Sequence, residues 1–306
     1  MEDLDAEWDK VPSYWNNKRV HFFKYISSDT AKIVLQNRTL RWSCPELLDD
    51  ALEMKFQVFA EEQYDKLKEK YLDRLWLLYN SGNDVVPDNR LGEILQIYRD
   101  RVSITRDELH RELGEEFDET MNLCRKHEEL FSREITRMLK RTKVLCLTIR
   151  PDNNLMWALY AQGHSGIVLR FRSSPDVDSV FGTAMPVFYS EQVPVLYSED
   201  TLIDVLTGLR RIAAKDIFRR IVTTKSSDWE YQQEWRIDGG FGREPDAKFE
   251  DFQFSPYELD GVIFGSKFPA ENQKKIRDLC EHYPCVKFFK AVISDKEFGI
   301  RIDSLE

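Results

Sequence analysis

The spacing of hydrophobic positions changes period twice along the chain. From Val20 to Ile26 (VHFFKYI) apolar and β-prone residues run together and predict a strand. Ser27-Ser28-Asp29 then supply N-cap chemistry, and Ala31, Ile33, Val34 and Leu35 predict a short helix that Asn37-Arg38 ends. Thr39–Ser43 (TLRWS) reads as a second strand, followed by a Pro-opened turn or short helix with paired acids, Cys44-Pro45-Glu46-Leu47-Leu48-Asp49-Asp50. From about Lys55 to Thr142 the period becomes helical. Leu109, Leu113, Phe117, Met121, Cys124, Phe131, Ile135 and Met138 fall mostly three, four or seven residues apart. Helices are expected near 56–80, 88–101 and 106–141, the last with room for a break. Arg137, Lys140 and Arg141 suit the negative end of that helix.

Strand character returns at Lys143–Ile149 (KVLCLTI). A loop leads to a short helix, LMWALYA, and Gly163-His164-Ser165-Gly166 turns the chain into the strand IVLRF. Short strands are expected at 187–189 and 195–197, and a helix over Thr201–Thr224 with Arg211, Lys215 and Arg219 on one face. Strands at Trp229–Ile237 and Gly261–Gly265, a helix near 269–282, and strands at Val286–Ile293 and Phe298–Ile302 complete the pattern. Strand pairs joined by short loops predict an α+β fold with a mixed, largely antiparallel sheet. The core domain is expected to comprise residues 1–54 and 143–306, interrupted by a helical insertion at 55–142. Residues 1–19 read as an irregular arm whose Trp8 and Trp15 cap the core.

Composition narrows the class. Hydrophobic residues make up 42% and aromatics 12%, enough for a sizeable core and against disorder. The net charge of -10 disfavours a general nucleic-acid binder or an anionic-membrane binder, although a nucleotide end could still enter a small cleft. Cys44, Cys124, Cys146, Cys280 and Cys285 are odd in number and form no CxxC pair, so free thiols in a reducing compartment are expected. The N-terminus MEDLDAEWDK is acidic where a signal peptide is basic, and no apolar run approaches the roughly 20 residues of a membrane helix. The expected location is the cytoplasm, with no membrane partner.

Standard catalytic signatures are absent: there is no GxGxxG after a strand, no P-loop, no HExxH and no GxSxG. The histidines show no metal-ligand spacing with the cysteines, so no metal is expected. Three segments concentrate aromatic and polar residues at element ends: Phe22–Ser43, MWALYAQGHSG at 156–166, and KSSDWEYQQEWR at 225–236.

The order of these segments resembles the bacterial family known as domain of unknown function 2971. Its pattern is matched here by Lys24-Tyr25, by Asp49-Asp50-Ala51-Leu52-Glu53, by Trp157…Tyr160-Ala161…His164…Gly166, and by Lys225-Ser226…Trp229…Tyr231-Gln232…Glu234…Arg236. The chain departs from that pattern at Asp49, Ala51, Leu52 and Gln232. More distantly, FFKYISSDTAKIVLQNRTLRWS and Gln232-Gln233-Glu234 are similar to the opening and closing motifs of the ADP-ribosyltransferase fold, with Lys24 where His or Arg would stand.

That second resemblance implies an ADP-ribosyltransferase or NAD glycohydrolase-like enzyme of bacterial toxin or defence type, with NAD as its substrate. Its partners would be a nucleotide-like small molecule and an unidentified macromolecular acceptor. Glu234 would stabilise oxocarbenium charge on the ribose, Gln232 would meet the same ligand, and Lys24 would hold a pyrophosphate or ribose oxygen. Tyr25, Ser27, Arg41, Ser43, Trp157, Tyr160, His164, Lys225 and Arg236, from the same segments, would line the nucleotide. Strand alternation would put Gln232 and Glu234 on one face, and the three segments would converge on one pocket.

Plainer roles compete. Glu234 could pair with Arg236 or Lys225 on the sheet surface, Lys24 could be solvated, and His164 could satisfy turn backbone. Asp49, Asp50 and Glu53 suit either a metal cluster or helix capping. The basic stripe at 211–219 suits a solvated face or a phosphate contact. The helical segment could instead make the chain a non-catalytic interaction module, with a second copy or another partner on its seam.

Overall fold

The computed structural model describes residues 17–60, 64–81, 89–101, 104–173 and 177–305. The expected N-terminal cap by Trp8 and Trp15 lies outside the described residues. Contacts divide the chain into two units. One holds Lys55–Arg137 and Val193–Ile221, and the other holds the described residues of Val11–Met54, Met138–Gln192 and Val222–Glu306. Residues 193–221 thus group with the helical segment, whereas the sequence reading grouped them with the core.

The chain opens with β1 (His21–Ile26), α1 (Ser28–Asn37), β2 (Thr39–Ser43) and a 3-10 turn at Pro45–Leu47. The helical unit begins with β3 (Gln57–Phe59) and continues through α2 (Tyr64–Asn80), α3 (Arg90–Arg101) and α4 (Arg106–Leu139). Next come β4 (Val144–Thr148), α5 (Asn154–Tyr160), β5 (Ile167–Arg172), β6 (Met185–Pro186), β7 (Phe188–Ser190) and β8 (Val195–Tyr197). After α6 (Glu199–Leu206) and α7 (Ala214–Val222) follow β9 (Thr224–Ser226), β10 (Glu234–Asp238), β11 (Phe249–Gln253) and β12 (Leu259–Phe264). The chain closes with α8 (Ala270–Leu279), β13 (Lys287–Ile293) and β14 (Ile300–Ser304).

The sheet unit is built on one large sheet in the order β11-β2-β4-β1-β5-β12-β13-β14, with β10 paired to β4 and β6 paired to β10. All of these pairings are antiparallel except β12 with β13, so the expected α+β fold with a mixed, largely antiparallel sheet is the one present. Period-2 alternation sorts the side chains. Phe22, Ile26, Leu145, Leu147 and Ile237 join one core with Val34 and Leu35 of α1 and Ile276 of α8. Phe23, Tyr25, Val168 and Ile263 face a second core around Trp157 of α5. At the start of α1 the Ser27 hydroxyl accepts the Thr30 amide at 3.0 Å, and Arg38 ends the helix in the left-handed region at φ 55°.

In the other unit the four-residue spacing of Leu109, Leu113, Phe117 and Met121 buries one stripe of α4 against Leu67, Tyr71 and Leu75 of α2 and Leu202 and Ile203 of α6. α4 is continuous over 34 residues. No helix among the described residues is long and apolar enough to cross a membrane.

Three expected elements differ. The helix expected from residue 56 starts at Tyr64, because Gln57–Phe59 pairs as a parallel strand with β8. The helix expected over 201–224 is two helices: Gly208, at φ 72°, breaks it, so Arg211 precedes α7 rather than sharing a face with Lys215 and Arg219. Finally, Ser227–Gln232 is a 3-10 helix and not the first half of a strand. Gln233 reverses the chain at φ 43° and β10 begins only at Glu234.

Candidate functional site

β10 lies along β4 with Glu234 opposite Thr148 and Arg236 opposite Cys146. Trp235 and Ile237 point into the core, so alternation turns Glu234 and Arg236 to the other face. Arg236 Nε donates to Glu234 Oε1 at 2.7 Å and its NH2 donates to Oε2 at 3.2 Å, a two-point grip along one strand. Lys225, carried on β9, donates to Glu234 Oε2 at 2.9 Å and to Gln232 Oε1 at 2.9 Å. Glu53, on the turn after Asp50, accepts from Arg236 NH1 at 2.5 Å, and the same nitrogen donates to the Val222 carbonyl at 2.7 Å.

Two carboxylates and two cations thus form a charge-balanced quartet out of water. Side-chain exposure is 2% for Glu53, 5% for Glu234 and 1% for Arg236. Burial alone would raise the Glu234 carboxyl, but Arg236 and Lys225 override it and hold the group well below the usual carboxylate range. Burial likewise opposes the Arg236 charge, and Glu234 and Glu53 restore it.

Polar and aromatic groups surround the quartet. Gln232 Nε2 donates to the Tyr160 hydroxyl at 2.9 Å, and burial, followed by the Asp49 charge, raises the Tyr160 phenol. The Lys225 ammonium sits 5.0 Å from the centre of the Trp229 ring, which lies 6.1 Å from the Tyr231 ring. The Tyr189 hydroxyl accepts the Glu234 amide at 2.7 Å. The Cys146 thiol lies against Glu234; desolvation first, and that charge second, push it up to about 12.

Of the expected site residues, Tyr160, Lys225, Gln232, Glu234 and Arg236 come together, by a different route from strand alternation. Gln232 is not on the strand with Glu234. The amide and the carboxylate meet because the 3-10 helix and the left-handed Gln233 fold them both onto Lys225. Tyr25 reaches the same region through Asn153. Its hydroxyl donates to the Arg150 carbonyl at 2.8 Å and accepts the Asn153 amide at 3.3 Å, while Asn153 Nδ2 donates to the Tyr231 carbonyl at 2.6 Å. Lys24 donates to the Cys146 carbonyl at 2.8 Å.

Five other expected lining residues have local duties. Ser27 caps α1, as described. Arg41 is exposed, pairs with Asp251 and lies over the Phe249 ring. Ser43 stands in register with Phe249 of β11 on one side and Val144 of β4 on the other. Trp157 is buried core, its indole donating to the Pro151 carbonyl. His164 is buried in a left-handed turn at φ 73°, stacked on Trp157, and desolvation keeps its pKa below the ordinary value. Gly166 allows that turn to close: a Cβ there would meet the Ile26 carbonyl at 2.5 Å.

Sequence reasoning missed Glu53 as a partner of Arg236. The residue ends the Asp49–Glu53 turn, which read equally well as capping or metal binding. Asp50 does cap that turn, its Oδ1 accepting the Leu52 amide at 2.8 Å. No group of three metal-binding side chains occurs among the described residues.

Fold and site together define an α+β protein with a buried, charge-balanced polar centre at the end of one strand of a largely antiparallel sheet. Residues 156–237, which carry Tyr160, Lys225, Gln232, Glu234 and Arg236, match the family described as Protein of unknown function (DUF2971). Lys24, Tyr25 and Glu53 lie outside the matched stretch. No curated protein and no solved structure matches the chain.

Proposed function

We propose that this protein is a cytoplasmic NAD-consuming enzyme, an ADP-ribosyltransferase or NAD glycohydrolase, working at the end of β10. One observation carries the reading. Lys225 gathers Gln232 and Glu234 at 2.9 Å each, so the amide and the carboxylate required beside a ribose share one point. Trp229, Tyr231 and Tyr160 supply aromatic surface next to them.

In this reading the Lys225 ammonium turns from Glu234 Oε2 to the ligand and frees that oxygen for the ribose. Arg236 keeps the carboxylate ionised throughout. The bond from C1′ to the nicotinamide nitrogen breaks, and its electron pair leaves on that nitrogen, which becomes neutral. Glu234 offsets the positive charge that develops on the ribose, and water or an acceptor hydroxyl captures the ribosyl carbon and releases a proton. Calorimetry with NAD and an assay of nicotinamide release test the proposal on the full chain. Saturable binding with release supports it, whereas no heat of binding at millimolar NAD removes it.

The second reading is an interaction module using the helical unit. It is favoured by Leu123 and Leu130, seven residues apart on α4 and 58% and 50% exposed. A solution mass of one chain at high concentration would remove a second copy as the partner.

A further inference from the structure

One oxygen of the buried Glu53 carboxylate is without a hydrogen bond among the described residues. Oε1 is taken by Arg236, but Oε2 has no hydrogen-bond partner among the described residues, and the Lys225 ammonium stands 3.7 Å from it. Lys225 directs two of its three N–H bonds at Gln232 and Glu234, leaving one for the Glu53 side. Donor and acceptor therefore stand across a gap too long for a direct bond, and an oxygen bonded to both fits once they part to about 4.4 Å, two hydrogen bonds of about 2.8 Å meeting at a tetrahedral oxygen. A carboxylate oxygen left unpaired out of water is costly, and such groups gather where a ligand completes them.

We infer that Glu53 is a ligand-binding carboxylate, and that Glu53 Oε2 and Lys225 Nζ together take one hydroxyl of the nicotinamide ribose. This rests on the NAD reading above. A hydroxyl suits the pair because it accepts from the ammonium and donates to the carboxylate at once. A phosphate oxygen brings no proton for Glu53 and is repelled by it; an amine is repelled by Lys225. Lys225 carries its charge on a flexible four-carbon stem, so a small swing opens the gap while Arg236 keeps Glu53 in place.

The test uses the full chain, with NAD and its analogues lacking the 2′- or the 3′-hydroxyl of the nicotinamide ribose. On the wild-type protein one analogue should bind at least about tenfold more weakly than NAD, the loss expected when a charge-assisted hydrogen bond disappears. Glu53→Gln keeps an oxygen for Arg236 and replaces the free carboxylate oxygen. It should weaken NAD by a similar factor while leaving the affinity of that same analogue unchanged. Melting curves of the free proteins establish that the variant is folded at the binding temperature. If it is not, the wild-type analogue series decides alone. Equal affinity of the wild type for NAD and both analogues overturns the role of Glu53 and leaves the NAD reading standing, as does a folded Glu53→Gln that binds NAD like the wild type. No NAD binding by the wild type overturns both.

Discussion

Arg236 holds Glu234, two residues before it on the same strand, through two guanidinium nitrogens and both carboxylate oxygens. Cutting that relationship leaves a buried cation without its main partner, which is why a change at Glu234 is a change in stability as well as in chemistry. Glu234→Gln is expected to cost about 3–5 kcal/mol, the range for breaking a buried pair from one side, as measured by urea unfolding. A loss below about 1 kcal/mol would contradict the quartet. Nicotinamide release by this variant therefore has to be read alongside its melting curve.

The same pair sets an acid dependence. The folded Glu234 carboxyl titrates below its unfolded value, so its contribution to stability is complete above about pH 5. It fades as pH falls through the ordinary carboxylate range toward the depressed folded value. Unfolding free energies measured from pH 6 down to pH 3 should decline more steeply for the wild type than for Glu234→Gln. Parallel curves would show that Glu234 is not held ionised.

Lys143 gives a third prediction. Its side chain is fully buried, and its ammonium donates to the carbonyls of Arg141, Phe241, Glu244 and Pro245 at 3.1–3.4 Å. It ties residues 241–245 to the start of β4. Lys143→Met preserves the bulk of the stem but removes the shared donor of these carbonyls, so a destabilisation of at least about 2 kcal/mol is expected. Hydrogen exchange should also speed up locally at residues 240–247. Unchanged exchange there would contradict the anchoring role.

A fourth prediction separates a 3-10 helix from a strand before β10. Gln233 sits at φ 43°, where a branched side chain is strained and glycine is not. Gln233→Ile is expected to cost about 1–2 kcal/mol, whereas Gln233→Gly should be close to neutral. A strand at this position would reverse the order, since isoleucine favours strands and glycine weakens them.

Cys146 supplies a fifth. With its thiol pushed up to about 12, almost none is thiolate at pH 8. Alkylation mapped by mass spectrometry should leave Cys146 unmodified in the native protein and modify it fully in denaturant. Native labelling as fast as denatured labelling would contradict the desolvated setting.

Where a local rule decided the structure, the residues announced it. β1, α1 and β2 were legible because VHFFKYI, the Ser27 cap and TLRWS each carry their own signal. The stripe at Leu109, Leu113, Phe117 and Met121 marked α4 in the same way. The centre of the site was half legible. Lys225, Gln232, Glu234 and Arg236 stood out as charged and polar residues among tryptophan and tyrosine. Their geometry did not, because Trp229, Tyr231 and Trp235 recur every second residue or multiple of it and imitate a strand. The competing signal was Ser226-Ser227-Asp228, the same triplet that correctly marked a cap at 27–29; here the Ser226 hydroxyl accepts the Asp228 amide. Glu53 was hidden for a different reason: its partner Arg236 is 183 positions away, and no periodicity reports a pairing of that reach.

That long reach determines how small a fragment can hold the centre. The matched stretch 156–237 contains both cations, Lys225 and Arg236, but only one of the two acids. It also lacks β4, the strand that β10 lies along. Expressed alone, that piece would have to bury an unmatched positive charge beside an unpaired strand edge, so the family stretch is not an autonomous unit in this protein. On the ribosome likewise, the quartet cannot close until the chain beyond Arg236 has emerged. Glu53 is synthesised early and waits for its counter-ion.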